Sequence, residues 1–589
     1  MTTALEESWP EHLPVLFLGE WCRRYDRKVR WTGMDAEVLP YHWDDRAKLF
    51  RDFEYLQQLN ERLLRDLATE LNRIHGENHS LRYWRIVLGF WLNLFTGIVL
   101  DGWETVRMAA ESGSVVRSLV LDIPQALLVP NDTDDFARRI PDDLWHHGLY
   151  ARLIKGWTDI PVELVYVNPR VSAILDTARP PRVGVPVKRR ILEQALRVLA
   201  RRTRPDEYFL ISTYLSFVDD LRLQWNLGQV PKVWRSPQVP MAKFEIRKRE
   251  WHLNPSDADS TFEQVIRTLL PEQLPTIFIE GYRELAELVR NLPWPHRPRV
   301  IWTSNQHFSN DLFKSWAADK AESGSPIVTG QHGAEATGLF NGAYAYQEAI
   351  GNMHLTWSRD AVSTQKERPV GVLKNLPQPT RPHPRGHLLL VTTAMPRYSF
   401  DLRSTVIAGQ MLAYFDEQFK FVSLLPDSIQ RELVVRIAPS DYGWSQKQRW
   451  QDRFPSIRLD GGASTIRNLM AKARLAVSTY NATTYLESFS MNVPTVMYWN
   501  PVYWELRESA IPYFAELKHA GIFHDSPEAA ARQVTSIWDD IEGWWSSALV
   551  REVRRCFSDR YCYRPPKLLP RIAGALLDAK NLSGAVESS

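Results

Sequence analysis

Cysteine is nearly absent from this chain: Cys22, Cys556 and Cys562 are the only three in 589 residues. An odd, widely spaced trio forms neither a disulfide framework nor a zinc site, and it fits a reducing cytoplasm. No apolar run reaches the roughly 20 residues that a membrane span needs. The nearest candidate, residues 86–100, is flanked by Arg85 and Asp101 and broken by Asn93. It is expected as a buried helix, with an interfacial helix as the weaker alternative. The first eleven residues are acidic and lack the apolar core of a signal peptide. Charge of one sign is scarce too. A net charge of +3 is too small for a general nucleic-acid binder, so nucleic acid is not an expected partner. There is no G-x-G-x-x-G phosphate loop and no internal repeat.

What the chain does have is aromatic weight and α/β punctuation. Most of its 23 tryptophans are expected in cores, although tryptophan also stacks on sugars and bases. The organising stretch is 474–498. Residues 475–477 are an apolar run that reads as a buried strand. Ser478, Thr479, Asn481, Thr483 and Thr484 then crowd hydroxyls and one amide into a turn. Residues 484–490 read as a helix, and beyond Pro494 residues 495–498 read as a second strand. Such a unit places its turn at the carboxyl end of a strand, where open α/β sheets bind ligands. The helix's first N–H groups lack intrahelical partners and, with the dipole, favour an anion. Ser478, Thr479, Thr483 and Thr484 would add hydroxyls to the same phosphate. The plainer alternative is a single hydroxyl, of Thr483 or Ser478, capping the helix.

Upstream, residues 13–18 are apolar and end at Gly19, which suits the first strand of a Rossmann-like domain. Residues 46–74 carry Leu49, Phe53, Leu56, Leu59, Leu63, Leu67 and Leu71 at helical spacing, a long amphipathic helix with its leucine stripe in the core. Residues 182–204 are strongly basic and read as a solvated helix face, the alternative being a surface for an acidic ligand. The aromatic and basic segment 213–250 is a candidate acceptor groove. Residues 274–281 bring Glu280 to a loop or helix start. Residues 326–333 form a strand that ends at Gln331, His332 and Gly333. Glycine lets backbone approach a ligand, and His332 can donate to a phosphate or act as an acid or base. A histidine satisfied by a backbone carbonyl is the plainer alternative. Asp132 with Asp134, and Asp257 with Asp259, resemble metal-binding pairs but precede helical stretches and read as caps. No metal or other cofactor is expected.

The expected fold class is α/β, with two Rossmann-like domains facing a cleft in a GT-B-like arrangement and added N-terminal helices. Residues 1–370 form the acceptor-side domain, the proline-rich 371–386 the linker, 387–565 the nucleotide-sugar-binding domain, and 566–589 a C-terminal helix and tail, disordered from Ser583. Architecture of this kind does not by itself give function.

Particular residues carry a resemblance. Gln331-His-Gly333, Asp441-Tyr-Gly-Trp444, Ser478-Thr-Tyr-Asn-Ala-Thr-Thr-Tyr-Leu-Glu487, Asn492-Val-Pro494, Tyr498-Trp-Asn-Pro501 and Gly521-Ile-Phe-His524 resemble a bacterial transferase family of O-antigen clusters, first delineated in leptospiral loci. The opening Leu18-Gly-Glu-Trp-Cys22 fits the same pattern. The similarity runs to about Tyr563 and is most specific over residues 478–487. One departure stands out. The family's Gln-His-Gly-Gly-x-Tyr-Gly is here Gln331-His-Gly-Ala-Glu-Ala-Thr-Gly338, without the second glycine or the tyrosine.

The resemblance implies a GT-B-like glycosyltransferase of lipopolysaccharide and O-antigen biosynthesis. Its donor is a nucleotide sugar, with a CMP-linked sugar acid suggested, and its acceptor a glycan or lipid-linked glycan. On that reading Ser478, Thr479, Thr483 and Thr484 hold the donor phosphate, and Arg436 neutralises it from a strand end. Gly333 admits the donor, Asn481 holds the donor or the loop, and Glu487 meets a ribose hydroxyl or buttresses the turn. His332 protonates or hydrogen-bonds the leaving phosphate, a role that needs no metal, and Glu280 is the candidate base or nucleophile. Two rivals share these residues: a CDP-polyol phosphotransferase, and a non-catalytic scaffold of the assembly complex. A lipid-linked acceptor would bring the cytoplasmic protein to the inner face of the membrane.

Overall fold

The computed structural model describes the chain apart from residues 11, 167–202, 255–257, 335, 361–362, 378–382 and 583–589. Most of the basic segment 182–204, Asp257 and the tail therefore lie outside the described residues.

The apolar run at 13–18 does not start the main sheet. Only Val15–Phe17 (β1) is extended, and it pairs in parallel with Ala36–Val38 (β2) in a separate two-stranded sheet. Pro14 before it has no N–H to give a ladder. Gly19 serves packing rather than phosphate, since a Cβ there would overlap the Trp21 ring. Ser118–Leu121 (β3) and Val162–Val165 (β4) form a second small parallel pair.

The amphipathic helix is present as Arg46–His75 (α1). Asp45 caps it by accepting from the Lys48 N–H, and Gly76 ends it at a φ of +69°. Leu49, Leu56, Leu59, Leu63, Leu67 and Leu71 are all buried, so the leucine stripe is core. The apolar run at 86–100 lies within Leu81–Glu111 (α2). This helix is long and apolar enough to cross a membrane, yet 83% of its apolar window is buried inside the protein. Asp132 does act as a cap, accepting from the Asp135 N–H at 2.7 Å. Ser260, rather than Asp259, caps the helix Thr261–Gln273.

Two parallel sheets carry the rest. The first holds Phe209–Ile211 (β5), Ile301–Thr303 (β6), Ile327–Gly330 (β7), Met353–Thr356 (β8) and Glu367–Pro369 (β9), in simple sequential order. The second holds His387–Val391 (β10), Leu433–Arg436 (β11), Arg458–Asp460 (β12), Ala473–Ser478 (β13), Thr495–Tyr498 (β14) and Phe523–His524 (β15). Its order is β12-β11-β10-β13-β14-β15, again all parallel. Runs such as His387-Leu-Leu-Leu-Val391 are continuous because both faces of the sheet are covered.

Alternation along these strands builds two apolar layers. Leu388, Leu390, Leu475 and Val477 point into one. Leu389, Val391 and Ala476 point into another that also holds Trp302, Val328 and Leu355 of the first sheet. The helices Ala548–Tyr561 and Leu568–Ala579 add Val550, Phe557, Ile572 and Leu576 to this shared layer. The architecture is thus α/β, two Rossmann-like sheets with added N-terminal helices, as expected of a GT-B-like chain. In the second sheet the chain works outward from β10 to β12, then returns to β13 on the other side of β10. That reversal is a topological switch point, the place where such sheets open a ligand crevice at their carboxyl ends.

Candidate functional site at the switch point

In register, Val391 at the end of β10 is flanked by Arg436 of β11 and Ser478 of β13. Past Ser478 the chain turns into the helix Thr483–Ser490 (α3), whose N-cap residue is Ala482 and makes no side-chain cap. The capping alternative therefore fails, and among the described residues no side chain caps the helix's first N–H groups.

The hydroxyls of the turn divide into two sets. Ser478 and Thr479 are buried. The Thr479 hydroxyl donates to the Val391 carbonyl at 2.9 Å and lies 2.5 Å from the Tyr414 hydroxyl, stitching β13 to β10. Ser478 turns its hydroxyl toward the Tyr480 carbonyl, and Thr484 is bonded to the Tyr480 hydroxyl. Thr483 is the one of the four that lines the cleft, beside Asn481 and Ala482. Asn481 Oδ1 accepts from the Thr337 and Tyr485 hydroxyls, each at 2.9 Å. Thr337 sits in the departed family loop and bridges to the second sheet here. Glu487 is buried and paired with Lys374 at 2.9 Å, so it buttresses the turn. Arg436 pairs with Asp460 and donates to the Ser464 carbonyl at 2.8 Å, which holds it on β12, away from the cleft lining.

The facing lip leaves β7. Gln331 fixes it, donating to the Gly333 carbonyl and accepting from the Trp357 N–H, both at 2.6 Å. The lips meet so closely that a Cβ on Gly333 would overlap the Thr483 hydroxyl. The His332 ring is open to the cleft, and its Nδ1 lies 2.5 Å from the Tyr214 hydroxyl, a phenol where a backbone carbonyl was the alternative. Asn305 donates to the same phenol oxygen at 3.1 Å. The crowding of protein around the cleft, then the charges of Lys374 and Arg403, lower His332 to about 4.

A third wall comes from the segment after β10, with Met395, Arg403, Ser404 and Thr405. The Arg403 Nε and the Thr405 hydroxyl are buried and make no hydrogen bond among the described residues. Arg403 Nε lies 3.7 Å from Asp401. The cleft between the walls has a volume of about 180 Å³. A helix N-terminus, a guanidinium, hydroxyls and a neutral imidazole around such a space suit an anionic, polyhydroxyl ligand.

The structure does not bring Glu280 to this cleft. Its carboxylate is 1% exposed and accepts from Arg249 Nε at 2.8 Å and Nη2 at 2.7 Å, and from the Glu245 N–H at 3.1 Å. Arg249 also donates to the Leu274 carbonyl at 2.8 Å. The pair anchors the segment 242–249 from beneath. Reading the chain alone missed Arg403; it placed Asn305 only in the polar exit of a strand and Tyr214 only within the aromatic segment 213–250, without a role for either. Arg403 had a positional signal, since it follows the first strand of a sheet wound in Rossmann order. Tyr214 had none, because its mark is a backbone φ of +65°, with Ser212 nearby at +52°.

Among solved structures, the chain is similar to MurG from Acinetobacter baumannii at 10% identity and a TM-score of 0.30, over 52% of this chain and 79% of that one. It is similar to a UDP-forming trehalose-phosphate synthase from Burkholderia xenovorans at 13% identity and a TM-score of 0.30, over 54% and 82%. It is also similar to the spinosyn rhamnosyltransferase SpnG complexed with spinosyn aglycone, at 11% identity and a TM-score of 0.29, over 79% and 99%. Likeness this distant leaves the chemistry to the site's own geometry. Comparison with curated proteins gives no match. A family model described as LIC12162 family transferase matches residues 1–572. The chain belongs to the LIC12162 family of transferases.

Proposed function

We propose that this transferase moves a glycosyl group from a nucleotide-activated sugar to a glycan or lipid-linked glycan acceptor in surface-polysaccharide assembly. One observation carries the reading: an uncapped helix N-terminus lies at the switch point, directly across from His332 and beside Arg403. The donor phosphate takes the N–H groups of α3, the Thr483 hydroxyl and the Arg403 guanidinium. Arg403 thus replaces Arg436 as the neutralising cation, and Ser478, Thr479 and Thr484 shape the turn that presents Thr483. His332 hydrogen-bonds the leaving phosphate as negative charge develops on it. An anion beside the ring favours its charged form and raises its proton affinity from about 4. The helix dipole and Arg403 supply a fixed positive field, so the proposed reaction runs without metal. Cys22, Cys556 and Cys562 are unpaired thiols, which supports a reducing, cytoplasmic setting. A lipid-linked acceptor places the reaction at the inner face of the membrane.

The test is a thermal-shift panel of CMP, CDP, UDP, GDP and dTDP, repeated with EDTA. A nucleotide at 100 times its Kd stabilises by about 2.7 kcal/mol. The expected result is a shift that EDTA leaves unchanged and that Thr483→Ala and Arg403→Gln abolish. A shift with CMP alone supports a sugar-acid donor, and one with UDP, GDP or dTDP discards that donor. No shift with any of the five overturns the reading.

A further inference from the structure

We propose that the loop 241–248 is a docking surface for an anionic lipid bilayer: Met241 and Ile246 enter the acyl boundary while Lys243, Arg247 and Lys248 meet the headgroups. The surface does not depend on the donor site. Its use, bringing a lipid-linked acceptor to the cleft, rests on the proposed transfer.

Single exposed apolar residues are ordinary on a protein surface. This loop differs in density and in company. Met241 is 82% exposed and Ile246 60%, five positions apart. The exposed cations Lys243, Arg247 and Lys248 interleave with them. Arg235 is exposed as well, so residues 235–250 show four exposed cations against two exposed carboxylates, Glu245 and Glu250. One of those, Glu245, pairs with Lys248 at 2.9 Å. Lysine is depleted from protein–protein interfaces, whereas at an anionic bilayer apolar burial and cation attraction act together.

The loop is fixed from beneath. Glu280 accepts from Arg249 and from the Glu245 N–H, and Asn131 Oδ1 accepts from the Ala242 N–H at 2.9 Å. Asn131 Nδ2 also donates to the Pro240 carbonyl at 3.3 Å. A Cβ on Gly281 would lie 2.8 Å from the Ala242 methyl group, so the backbone is seated closely. These anchors hold the backbone on the protein while Met241 and Ile246 stay in water. The segment that leads into the loop starts on the cleft side of the first sheet. Ser236 donates to Asn310 at 3.1 Å, Asn310 to Gln306 at 2.6 Å, and Gln306 to Ser212 at 2.7 Å. Ser212 and Gln306 follow the carboxyl ends of β5 and β6, the ends from which His332 also leaves β7.

Co-flotation of the full chain with phosphatidylcholine vesicles, with and without phosphatidylglycerol, tests the surface. The expected result is binding that needs phosphatidylglycerol, falls in high salt and resists free glycerol phosphate. Met241→Ser/Ile246→Ser should weaken it about tenfold or more, and Lys243→Glu/Arg247→Glu about tenfold or more. Val29→Ser, at an exposed valine of the N-terminal region, should leave it unchanged. No binding to the anionic vesicles overturns the proposal and gives the loop to a protein partner. Binding that either double variant retains, an equal loss in Val29→Ser, or displacement by glycerol phosphate overturns it too. If a double variant does not fold, the lipid and salt dependence of the unmutated protein decides. Vesicle binding by a protein that shifts with no nucleotide keeps the surface and rejects the donor site, and a nucleotide shift without vesicle binding does the reverse.

Discussion

The two lips of the cleft are built on opposite terms. On the second-sheet lip, the hydroxyls of Ser478, Thr479 and Thr484 are engaged with neighbouring carbonyls or phenols, and Glu487 is paired with Lys374. Around the first-sheet lip and the segment after β10, Ser304 Oγ, Arg403 Nε and Thr405 Oγ1 are buried without a hydrogen-bond partner among the described residues. Two residues there hold strained backbones. The contrast separates a frame from a working face. A satisfied network holds its shape, whereas unsatisfied polar groups in a crevice are what a ligand completes.

Glu280 lies on neither lip and gives the largest expected effect. Glu280→Gln leaves Arg249 buried beside a neutral amide, which should cost about 3–5 kcal/mol in chemical denaturation. Full stability with lost transfer would return Glu280 to the chemistry and break the division just drawn. Next comes Gly333→Ala, where the lips touch. The added methyl group meets the Thr483 hydroxyl, so overpacking should cost about 1–3 kcal/mol of stability in chemical denaturation and, by displacing Thr483, weaken nucleotide binding in calorimetry.

A smaller effect sharpens the role of His332. Without ligand the ring is lowered to about 4, and a bound phosphate raises that value, so the complex holds more proton than the unliganded protein. Nucleotide affinity should therefore rise a few-fold as pH falls from 7 toward 5, and His332→Gln should flatten the slope. A slope that persists in the variant assigns the proton elsewhere. The smallest effect belongs to the frame: Ser478→Ala should change nucleotide affinity less than about twofold, in line with a side chain turned to its own backbone. A tenfold loss would place Ser478 on the phosphate.

Much of the fold was legible because period and punctuation report local preference. The leucines of α1 recur at helical spacing, and the run Leu388-Leu-Leu-Val391, which opens a fresh α/β pattern in the sequence, is a strand covered on both faces. The run at 13–18 failed because a three-residue strand after Pro14 looks, in one dimension, like the first strand of a larger sheet. At the site, position along the chain was legible but direction was not. Thr479 and Thr483 are the same residue type four places apart, yet one faces Val391 and the other the cleft. Glu280 looked available because its partner Arg249 lies 31 positions away. Arg436 looked available at a strand end until Asp460 of the neighbouring strand claimed it.

The apolar layer that holds Trp302, Ala476 and Leu576 together bears on modularity. Neither half owns its whole interior, because the last helices complete a core that both sheets line. A fragment ending near residue 547 would expose Val328 and Leu355 on one side and Tyr485 and Phe489 on the other. The halves should melt in one transition, and grafting either onto a foreign partner would require carrying the C-terminal helices with it.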